Sequence, residues 1–255
     1  VSEAQAKFPI LDAAKIRHAA YDTDAWDIDT DKLVHGFART ARQNGGVIAT
    51  KQAVTGIKRE GNGWIVRTKT QVYEARHLVN AAGAWVDGIA AMAGIKPLGF
   101  TPLRRSMARI PAPDGHDVTA WPMIFGPGED WYMKPDAGAL IVSPADEDPS
   151  APMDAWADDM VLAEGLARYE DHVTEPVTRM LSNWAGLRTF APDRQLVLGP
   201  DPTDATFIWM AGQGGYGFQT APAASQLVAD LVSGARSELP PEVIAQLVPH
   251  RFRQQ

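Results

Sequence analysis

Two short apolar runs in this sequence are each followed at once by glycine and then by a helix-like segment. The first run occupies residues 77–82 (HLVNAA), and Gly83 precedes a helical pattern that extends to about Ala93. A strand that ends in small residues at the start of a helix lets a ligand approach the backbone closely, and the helix dipole favours an anionic group there. Close packing of the strand against the helix explains the same residues, so both interpretations stay open.

The second run, residues 207–210 (FIWM), is followed by residues 212–217 (GQGGYG), with four glycines in six positions, and then by a helix to about Ser233. Such a loop presents backbone amides to an anion or to an electron-rich ring. A flexible surface loop is the alternative interpretation. We favour a ligand site because the glycines lie between a buried strand and a helix.

The rest of the pattern mixes short strands and helices without a regular β-α-β-α alternation. Apolar residues at helical spacing (Leu33, Val34, Phe37 and Ala41), with Asp29 or Thr30 as the cap, predict a helix over residues 31–44. Short alternating segments between residues 47 and 74, the first of them at residues 47–50, predict a small antiparallel meander. The whole pattern predicts an α+β (α/β) fold with two lobes and a mixed, largely antiparallel sheet.

Composition excludes several functional classes. The sequence has no cysteine, which removes disulfides, thiolate metal sites and cysteine nucleophiles. The 6 histidines are well separated, so no metal site is expected, and neither a Gly-x-Ser-x-Gly motif nor a P-loop occurs. The net charge of -7 argues against a nucleic-acid partner. No apolar run approaches the roughly 18 residues that a membrane-spanning helix needs, so the chain is not expected to span a bilayer.

Three polar side chains are suited to an anionic small-molecule substrate. Arg188 ends the segment 184–188 (WAGLR), where a guanidinium in an apolar strand needs a carboxylate from the protein or from a ligand. Arg105 follows Arg104 at the start of another strand, and Tyr132 can donate a hydroxyl hydrogen bond. Guanidinium binds a carboxylate through two parallel N–H groups, which favours a substrate carboxylate here. The alternatives are a solvated Arg104 and a Tyr132 that is simply a core aromatic residue.

Five ordered segments resemble those of flavin-dependent oxidoreductases of the D-amino-acid oxidase type, and most of all the D-arginine dehydrogenase group of that family. The segments are residues 25–31 (AWDIDTD), 78–85 (LVNAAGAW), 131–138 (WYMKPDAG), 184–188 (WAGLR) and 213–217 (QGGYG). The resemblance runs from Asp24 to about Ala235 and corresponds to the C-terminal two-thirds of the family pattern. It implies an FAD-binding lobe formed by residues 1–98 and 183–255, and a substrate-binding lobe formed by residues 99–182.

The resemblance also implies roles for individual residues. Arg105, Tyr132 and Arg188 would clamp the substrate carboxylate, and Met123 and Phe125 would line the pocket for the substrate side chain. The implied FAD-binding residues are Ala53, Val54, Ala81, Ala82, Gly83, Trp85, Gly186, Gly214, Gly215, Tyr216, Gly217, Phe218 and Gln219. The glycine-rich loop would lie under the pyrimidine end of the isoalloxazine, where reduction places negative charge. Without cysteine, the FAD is expected to be bound non-covalently.

The activity that the resemblance implies is oxidation of an amino acid, expected to be D-configured, to an imino acid by hydride transfer to flavin N5. The electron acceptor would be oxygen or a quinone, and the expected location is cytoplasmic or peripheral to the inner membrane. Secondary amines, 2-hydroxy acids and glycerol phosphate are alternative substrate classes within the same family.

The sequence departs from the family pattern in its FAD-binding part. No Gly-x-Gly-x-x-Gly follows a first strand, although the family holds the FAD pyrophosphate with such a turn, and the glycine cluster at 212–217 lies near the C-terminus. The chain begins with Val1 rather than methionine, so processing or a longer polypeptide is expected. We therefore expect FAD to be absent or weakly bound in this chain alone. A non-catalytic fragment, or a subunit that needs a second polypeptide to bind FAD, is the alternative function.

Overall fold

The computed structural model describes residues 1–253, which divide into two compact units. Unit 1 comprises Val1–Ala25 and Pro102–Leu187, and unit 2 comprises Trp26–Thr101 and the chain from Arg188 onward. The helices are α1 (Ser2–Lys7), α2 (Thr30–Gln43), α3 (Val86–Met92), α4 (Asp159–Glu170), α5 (Gly217–Ser233) and α6 (Pro241–Leu247). The strands are β1 (Val54–Glu60), β2 (Gly63–Thr68), β3 (Val72–Ala75), β4 (Leu78–Asn80), β5 (Thr101–Pro111), β6 (Ile124–Phe125), β7 (Tyr132–Asp136), β8 (Ala139–Ser143), β9 (Ser182–Phe190), β10 (Val197–Pro200) and β11 (Phe207–Ala211).

Unit 1 is built on a five-stranded sheet with the order β6-β7-β8-β5-β9. The pairs β6–β7, β7–β8 and β8–β5 are all antiparallel, and Tyr132 of β7 lies opposite Ser143 of β8. A hydrophobic core on this sheet includes Trp131, Met133 and Leu140, which are almost fully buried. This sheet agrees with the predicted largely antiparallel architecture, and the mixture of helices and sheets confirms the predicted fold class.

The first 25 residues pack with the later sheet rather than with residues 26–101. Phe8 and Ile10 are each 2% exposed and belong to the core of unit 1. The ring of Phe8 meets the ring of Trp121 edge-on, with centroids 5.0 Å apart, and the Thr174 amide donates to the Ile10 carbonyl at 2.8 Å. The compact units therefore differ from the expected lobe boundaries at 1–98, because two large apolar side chains near the start of the chain find their core among residues 102–187.

Unit 2 contains two small sheets. The predicted meander is present as the antiparallel sheet β1-β2-β3, but the strand predicted at residues 47–50 is wrong. Those residues are exposed and form no strand, since no strand within residues 1–253 lies beside them to complete a ladder. The second sheet has the order β10-β11-β4, in which β10 and β11 are antiparallel and β11 and β4 are parallel.

Helices α2 and α3 of unit 2 begin and end close to where the sequence predicts. Asp29 caps α2, because its carboxylate accepts a hydrogen bond from the Lys32 amide at 2.9 Å. After β4, Gly83 begins a short 3-10 turn that continues into α3, and Gly94 follows that helix with a φ of 74°. Within residues 1–253 no helix combines the length and the apolar character needed to cross a bilayer.

Candidate functional site

Two of the predicted cofactor segments lie at the same edge of a sheet in unit 2. β4 runs parallel to β11, with Asn80 opposite Trp209. Because parallel strands end at the same edge, residues 81–83 after β4 and residues 212–217 after β11 both leave the sheet there. The carboxyl edge of parallel strands is where open α/β sheets bind ligands. The tertiary structure thus joins the two glycine-containing segments that the sequence indicated separately.

The turn after β4 has an accessible backbone. Asn80 is 1% exposed, and its Nδ2 donates to the Val86 carbonyl at 2.8 Å while its Oδ1 accepts from the Ala82 amide at 3.4 Å. These bonds hold the turn against the start of α3. Gly83 has a φ of 55° and no atom within 4 Å of the place that a Cβ would take. The Trp85 side chain, which follows in the 3-10 turn, is 51% exposed.

The glycine-rich loop is closely packed on one side. The Gly214 amide donates to the Thr189 carbonyl at 3.0 Å, and a Cβ on Gly214 would lie 2.3 Å from Cε1 of Phe190. A Cβ on Gly215 would lie 3.0 Å from Nη1 of Arg188. Glycine is therefore required at 214, and the half-buried guanidinium of Arg188 lies directly against the loop.

The loop leads into the start of α5. Gly217, Phe218 and Gln219 form its first turn, where the backbone amides have no partners within the helix and the dipole is positive. The Phe218 ring is 48% exposed. Burial raises the pKa of Tyr216, against an opposing effect of the Arg194 charge. The Tyr216 hydroxyl donates to the Arg194 carbonyl, which ties the loop to the segment after β9.

Three further predicted cofactor residues lie elsewhere. Val54 begins β1 and is half-buried, and Ala53 immediately before it is exposed. Gly186 lies in the part of β9 that belongs to unit 1, with open space where a Cβ would stand. Ala53 and Val54 therefore belong to unit 2, whereas Gly186 belongs to unit 1.

Arg105 in unit 1 is held by an acidic segment. Its Nε donates to the Asp146 carbonyl at 2.8 Å and its Nη2 to Glu147 Oε1 at 3.1 Å. Arg105 is only 9% exposed, and its guanidinium carbon lies 5.9 Å from the centroid of the Tyr132 ring. Two of the predicted clamp residues are thus neighbours. Arg104, by contrast, forms an ion pair with Asp148 at 2.8 Å rather than being simply solvated.

Tyr132 is buried and contacts two apolar side chains as well as Arg105. It is 7% exposed, and its hydroxyl contacts Sδ of Met107 at 3.5 Å. Its ring lies 5.9 Å from the ring of Phe125, which is its partner in the β6–β7 ladder. Met123 and Phe125 are 43% and 58% exposed, so both keep surface that a ligand can contact.

The sequence analysis did not identify the acidic residues that pair with Arg104 and Arg105. In the structure, three consecutive acidic residues face the arginine pair 104–105, namely Asp146, Glu147 and Asp148. Ser106 adds to the contact, since its amide and hydroxyl both donate to the Asp146 carboxylate, at 2.7 and 2.8 Å. Three consecutive acidic residues in a chain with a single tight arginine pair were the available signal.

The predicted site residues therefore form two groups. Arg105, Tyr132, Met123 and Phe125 belong to unit 1, whereas Arg188 and the glycine-rich loop belong to unit 2. In the described part of the chain, no group of three histidine or carboxylate side chains is placed to hold a metal ion.

Comparison with known proteins places these features in a family. The family described as FAD dependent oxidoreductase (DAO) matches residues 1–231 of this chain. Human mitochondrial dimethylglycine dehydrogenase is 24% identical over 97% of this chain and 30% of its own length. Hydrogen cyanide synthase subunit HcnC of Pseudomonas aeruginosa is 27% identical over 87% of this chain and 52% of its own length.

Comparison with solved structures also finds an oxidoreductase with a similar fold. The crystal structure of L-proline dehydrogenase from P. horikoshii superimposes with a TM-score of 0.83 at 24% identity, and the match covers 99% of this chain and 67% of that protein. The chain spans about a third to a half of the length of the two curated relatives.

Proposed function

Since the chain belongs to the family of FAD dependent oxidoreductases, we propose that it is part of an enzyme that oxidises an amino acid, D-configured, to an imino acid. FAD is the cofactor of that family. The observation that carries the proposal is the shared edge of β4 and β11, where two glycine-containing segments lie beside the first turns of α3 and α5. D-arginine is the first substrate to test, because the resemblance is strongest to that group.

The residues at this edge fit the pyrimidine end of a flavin. The loop has no side chain at Gly214 or Gly215, where a Cβ would meet Phe190 or Arg188. The opposite side of Gly215 is exposed, so the backbone can approach a planar ring. When bound, FAD supplies the acceptor for the two electrons that the substrate loses. The positive end of α5 would stabilise negative charge on a flavin held there.

The substrate carboxylate is assigned to Arg105, Tyr132 and Arg188. Guanidinium groups bind carboxylates through paired N–H donors, and a phenol adds one further donor. These residues orient the substrate Cα–H bond, so that their contribution is positioning rather than chemistry. Met123 and Phe125 supply the apolar wall for the substrate side chain.

In this reaction the substrate loses two electrons and two protons. The Cα–H and N–H bonds break and a C=N bond forms, and water then converts the imino acid to a 2-oxo acid and ammonia. Oxygen or a quinone is the proposed final electron acceptor. The proposed location is the cytoplasm, or the surface of the inner membrane.

The experiment is anaerobic reduction of the FAD-loaded protein. D-arginine, other D-amino acids, L-amino acids, N-methylated amines, 2-hydroxy acids and glycerol phosphate are added in turn, and the visible flavin absorption is followed. We expect bleaching with a D-amino acid and formation of one 2-oxo acid per flavin reduced. Bleaching by a secondary amine or a 2-hydroxy acid alone would reassign the substrate class, and no bleaching by any amino acid would contradict the proposal.

A second candidate is a subunit that binds FAD only with another polypeptide. It is favoured by the absence from this sequence of a Gly-x-Gly-x-x-Gly turn after a first strand. Titration of the purified 255-residue chain with FAD separates the two candidates. A stoichiometric flavoprotein would exclude the need for a partner, whereas no binding would support it.

A further inference from the structure

The glycine-rich loop packs at both of its ends against the short turn that follows β9. A Cβ on Gly212 would lie 2.9 Å from the Gln195 carbonyl oxygen, so the first glycine of the loop lies directly on this turn. At the other end of the loop, the Tyr216 hydroxyl donates to the Arg194 carbonyl. The turn, residues 193–195 (DRQ), is therefore a supporting turn for the whole loop.

The middle of the loop contacts the same part of the chain through an aromatic ring. The guanidinium carbon of Arg194 lies 3.9 Å from the centroid of the Phe190 ring, which is a cation–π contact. Phe190 is also the residue whose ring leaves no room for a Cβ at Gly214. Arg194 itself has a φ of 60°, which is uncommon for a residue with a side chain and persists only where the surroundings hold it.

Arg251 holds the supporting turn from the opposite end of unit 2's sequence. Its Nε donates to Asp193 Oδ2 at 2.6 Å and its Nη2 to Oδ1 at 3.1 Å, which is the bidentate geometry of a strong charged pair. Nη2 also donates to the Gln195 carbonyl at 3.3 Å, the same oxygen against which Gly212 packs. Nη1 donates to the Leu247 carbonyl at 2.8 Å, so all three nitrogens of this guanidinium are engaged.

We propose that Arg251 is a positioning residue for FAD, because it fixes the supporting turn on which the glycine-rich loop packs. The inference rests on the proposed function, since it needs the flavin at this loop. Arg251 lies beyond residues 1–231, which are the part of the chain that the family matches. In this role Arg251 contacts the turn rather than the cofactor, and its contribution is to hold the site in shape before FAD binds.

Arg251→Lys is the informative substitution, because lysine keeps the positive charge but lacks the planar fork. Arg59→Lys is its matched control. Arg59 also lies in unit 2, and its Nε pairs with Asp204 at 2.9 Å. Asp204, like Asp193, accepts a hydrogen bond from the amide two residues later. The control pair precedes β11, whereas the glycine-rich loop follows that strand.

The first measurement is amide hydrogen exchange in the full chain without FAD. The Gly214 amide donates to the Thr189 carbonyl, so its exchange reports on the loop. We expect Arg251→Lys to speed this exchange about tenfold relative to the β1-β2-β3 sheet, the ratio that corresponds to loss of one charged hydrogen bond. Arg59→Lys should leave it unaltered. Unaltered exchange at Gly214 in Arg251→Lys, or equal acceleration in loop and sheet, would overturn the proposal.

A double-mutant cycle shows whether Arg251 acts through the supporting turn. Tyr216→Phe removes the hydroxyl that donates to Arg194. If the effect of Arg251 passes through that turn, Arg251→Lys and Tyr216→Phe should be non-additive in the exchange of Gly214, whereas Arg59→Lys and Tyr216→Phe should be additive. Additive effects in the first pair would contradict the proposed route.

The second measurement uses the FAD-loaded protein. Arg251→Lys should raise the Kd for FAD about tenfold and make the flavin midpoint potential more negative, because the amides at the start of α5 would no longer be held against the flavin. Arg59→Lys should change neither value. Faster loop exchange with an unaltered Kd and potential would overturn the proposal. A failure of the proposed function appears instead in the unchanged protein, as absence of bleaching by any amino acid.

Discussion

The guanidinium of Arg105 and the carboxylate of Glu147 form an ion pair, with Nη2 and Oε1 3.1 Å apart. The pair sits beside Tyr132, and the Arg105 side chain is mostly buried while that of Glu147 is about a third exposed. A carboxylate of the protein thus already occupies part of the donor set that we assign to the substrate. Because Asp146 holds Nε through its carbonyl, the guanidinium is oriented before any ligand arrives.

This relationship predicts the effect of Glu147→Gln in the FAD-loaded enzyme. The amide keeps an oxygen for Nη2 but removes the negative charge that competes with the substrate carboxylate. We expect KM for the amino acid to fall by about two- to tenfold, since a partly screened unit charge at this distance is worth about 1 kcal/mol. Steady-state kinetics measure the change. Asp136→Asn, which removes the negative charge from the Arg109–Asp136 pair on the same sheet, is the control and should leave KM unaltered. A raised KM in Glu147→Gln would contradict the assignment.

The contact of Arg188 with Gly215 predicts a graded series. Arg188→Ala should lower kcat/KM by about 10²-fold or more, the order expected for loss of a charged clamp. Gly215→Ala places a Cβ 3.0 Å from Nη1 of Arg188, so it should displace the guanidinium and raise KM with little change in the free energy of unfolding. Exposed Arg236, changed to Ala, is the control. Unaltered kinetics in both Arg188→Ala and Gly215→Ala would remove Arg188 from the site.

Gly214 is predicted to be the least replaceable glycine of the loop. Its φ of +52° costs an L-residue about 1–2 kcal/mol, and a Cβ 2.3 Å from Phe190 adds an overpacking cost of about 1–3 kcal/mol. Gly214→Ala should therefore lower the free energy of unfolding by at least about 2 kcal/mol. Urea unfolding measures it, with Gly88→Ala as the control.

The control substitution Gly88→Ala is expected to change the free energy of unfolding in the opposite direction. Gly88 lies in α3 with no atom within 4 Å of the Cβ position, so alanine should stabilise by about 0.5–1 kcal/mol through helix propensity. Similar midpoints for Gly214→Ala and the unchanged protein would show that the loop tolerates a side chain.

Acid stability is predicted to depend on Asp193. Burial tends to raise the pKa of Asp193, but hydrogen bonds from Arg251 and from the Gln195 amide outweigh it and hold the pKa below its ordinary value. Arg251 donates to both carboxylate oxygens, from Nε at 2.6 Å and from Nη2 at 3.1 Å. A depressed folded-state pKa contributes stability above the unfolded-state pKa, and that contribution is lost as the pH falls through the folded-state value.

The measurement is urea unfolding between pH 6 and pH 3. The midpoint of the unchanged protein should fall below about pH 4, the ordinary range of an aspartate. Asp193→Asn should be less stable at pH 6 and should show a smaller fall on acidification. A pH dependence identical to that of the unchanged protein would mean that Asp193 does not contribute to it.

Much of the fold followed from local patterns. The apolar stripe and Asp29 predicted α2 to within a residue at each end, and Gly83 and Gly94 marked the turn before α3 and the end of that helix. Such features are predictable because caps and glycine turns depend on residues within one turn of each other. The strand predicted at 47–50 failed for the opposite reason, since a strand exists only where a neighbouring strand pairs with it.

The same distinction between local patterns and long-range contacts applies to the candidate site. The sequence by itself determined the glycine loop, the arginines and Tyr132 as candidates, because residue type and local spacing carry that information. Only the tertiary structure decided that β4 runs parallel to β11, that Glu147 holds Arg105, that Phe8 packs into unit 1 and that α2 is left uncovered. The first three join residues far apart in the chain, and the fourth is the absence of such a contact within residues 1–253. Which surfaces meet in the folded protein is not encoded in any local pattern.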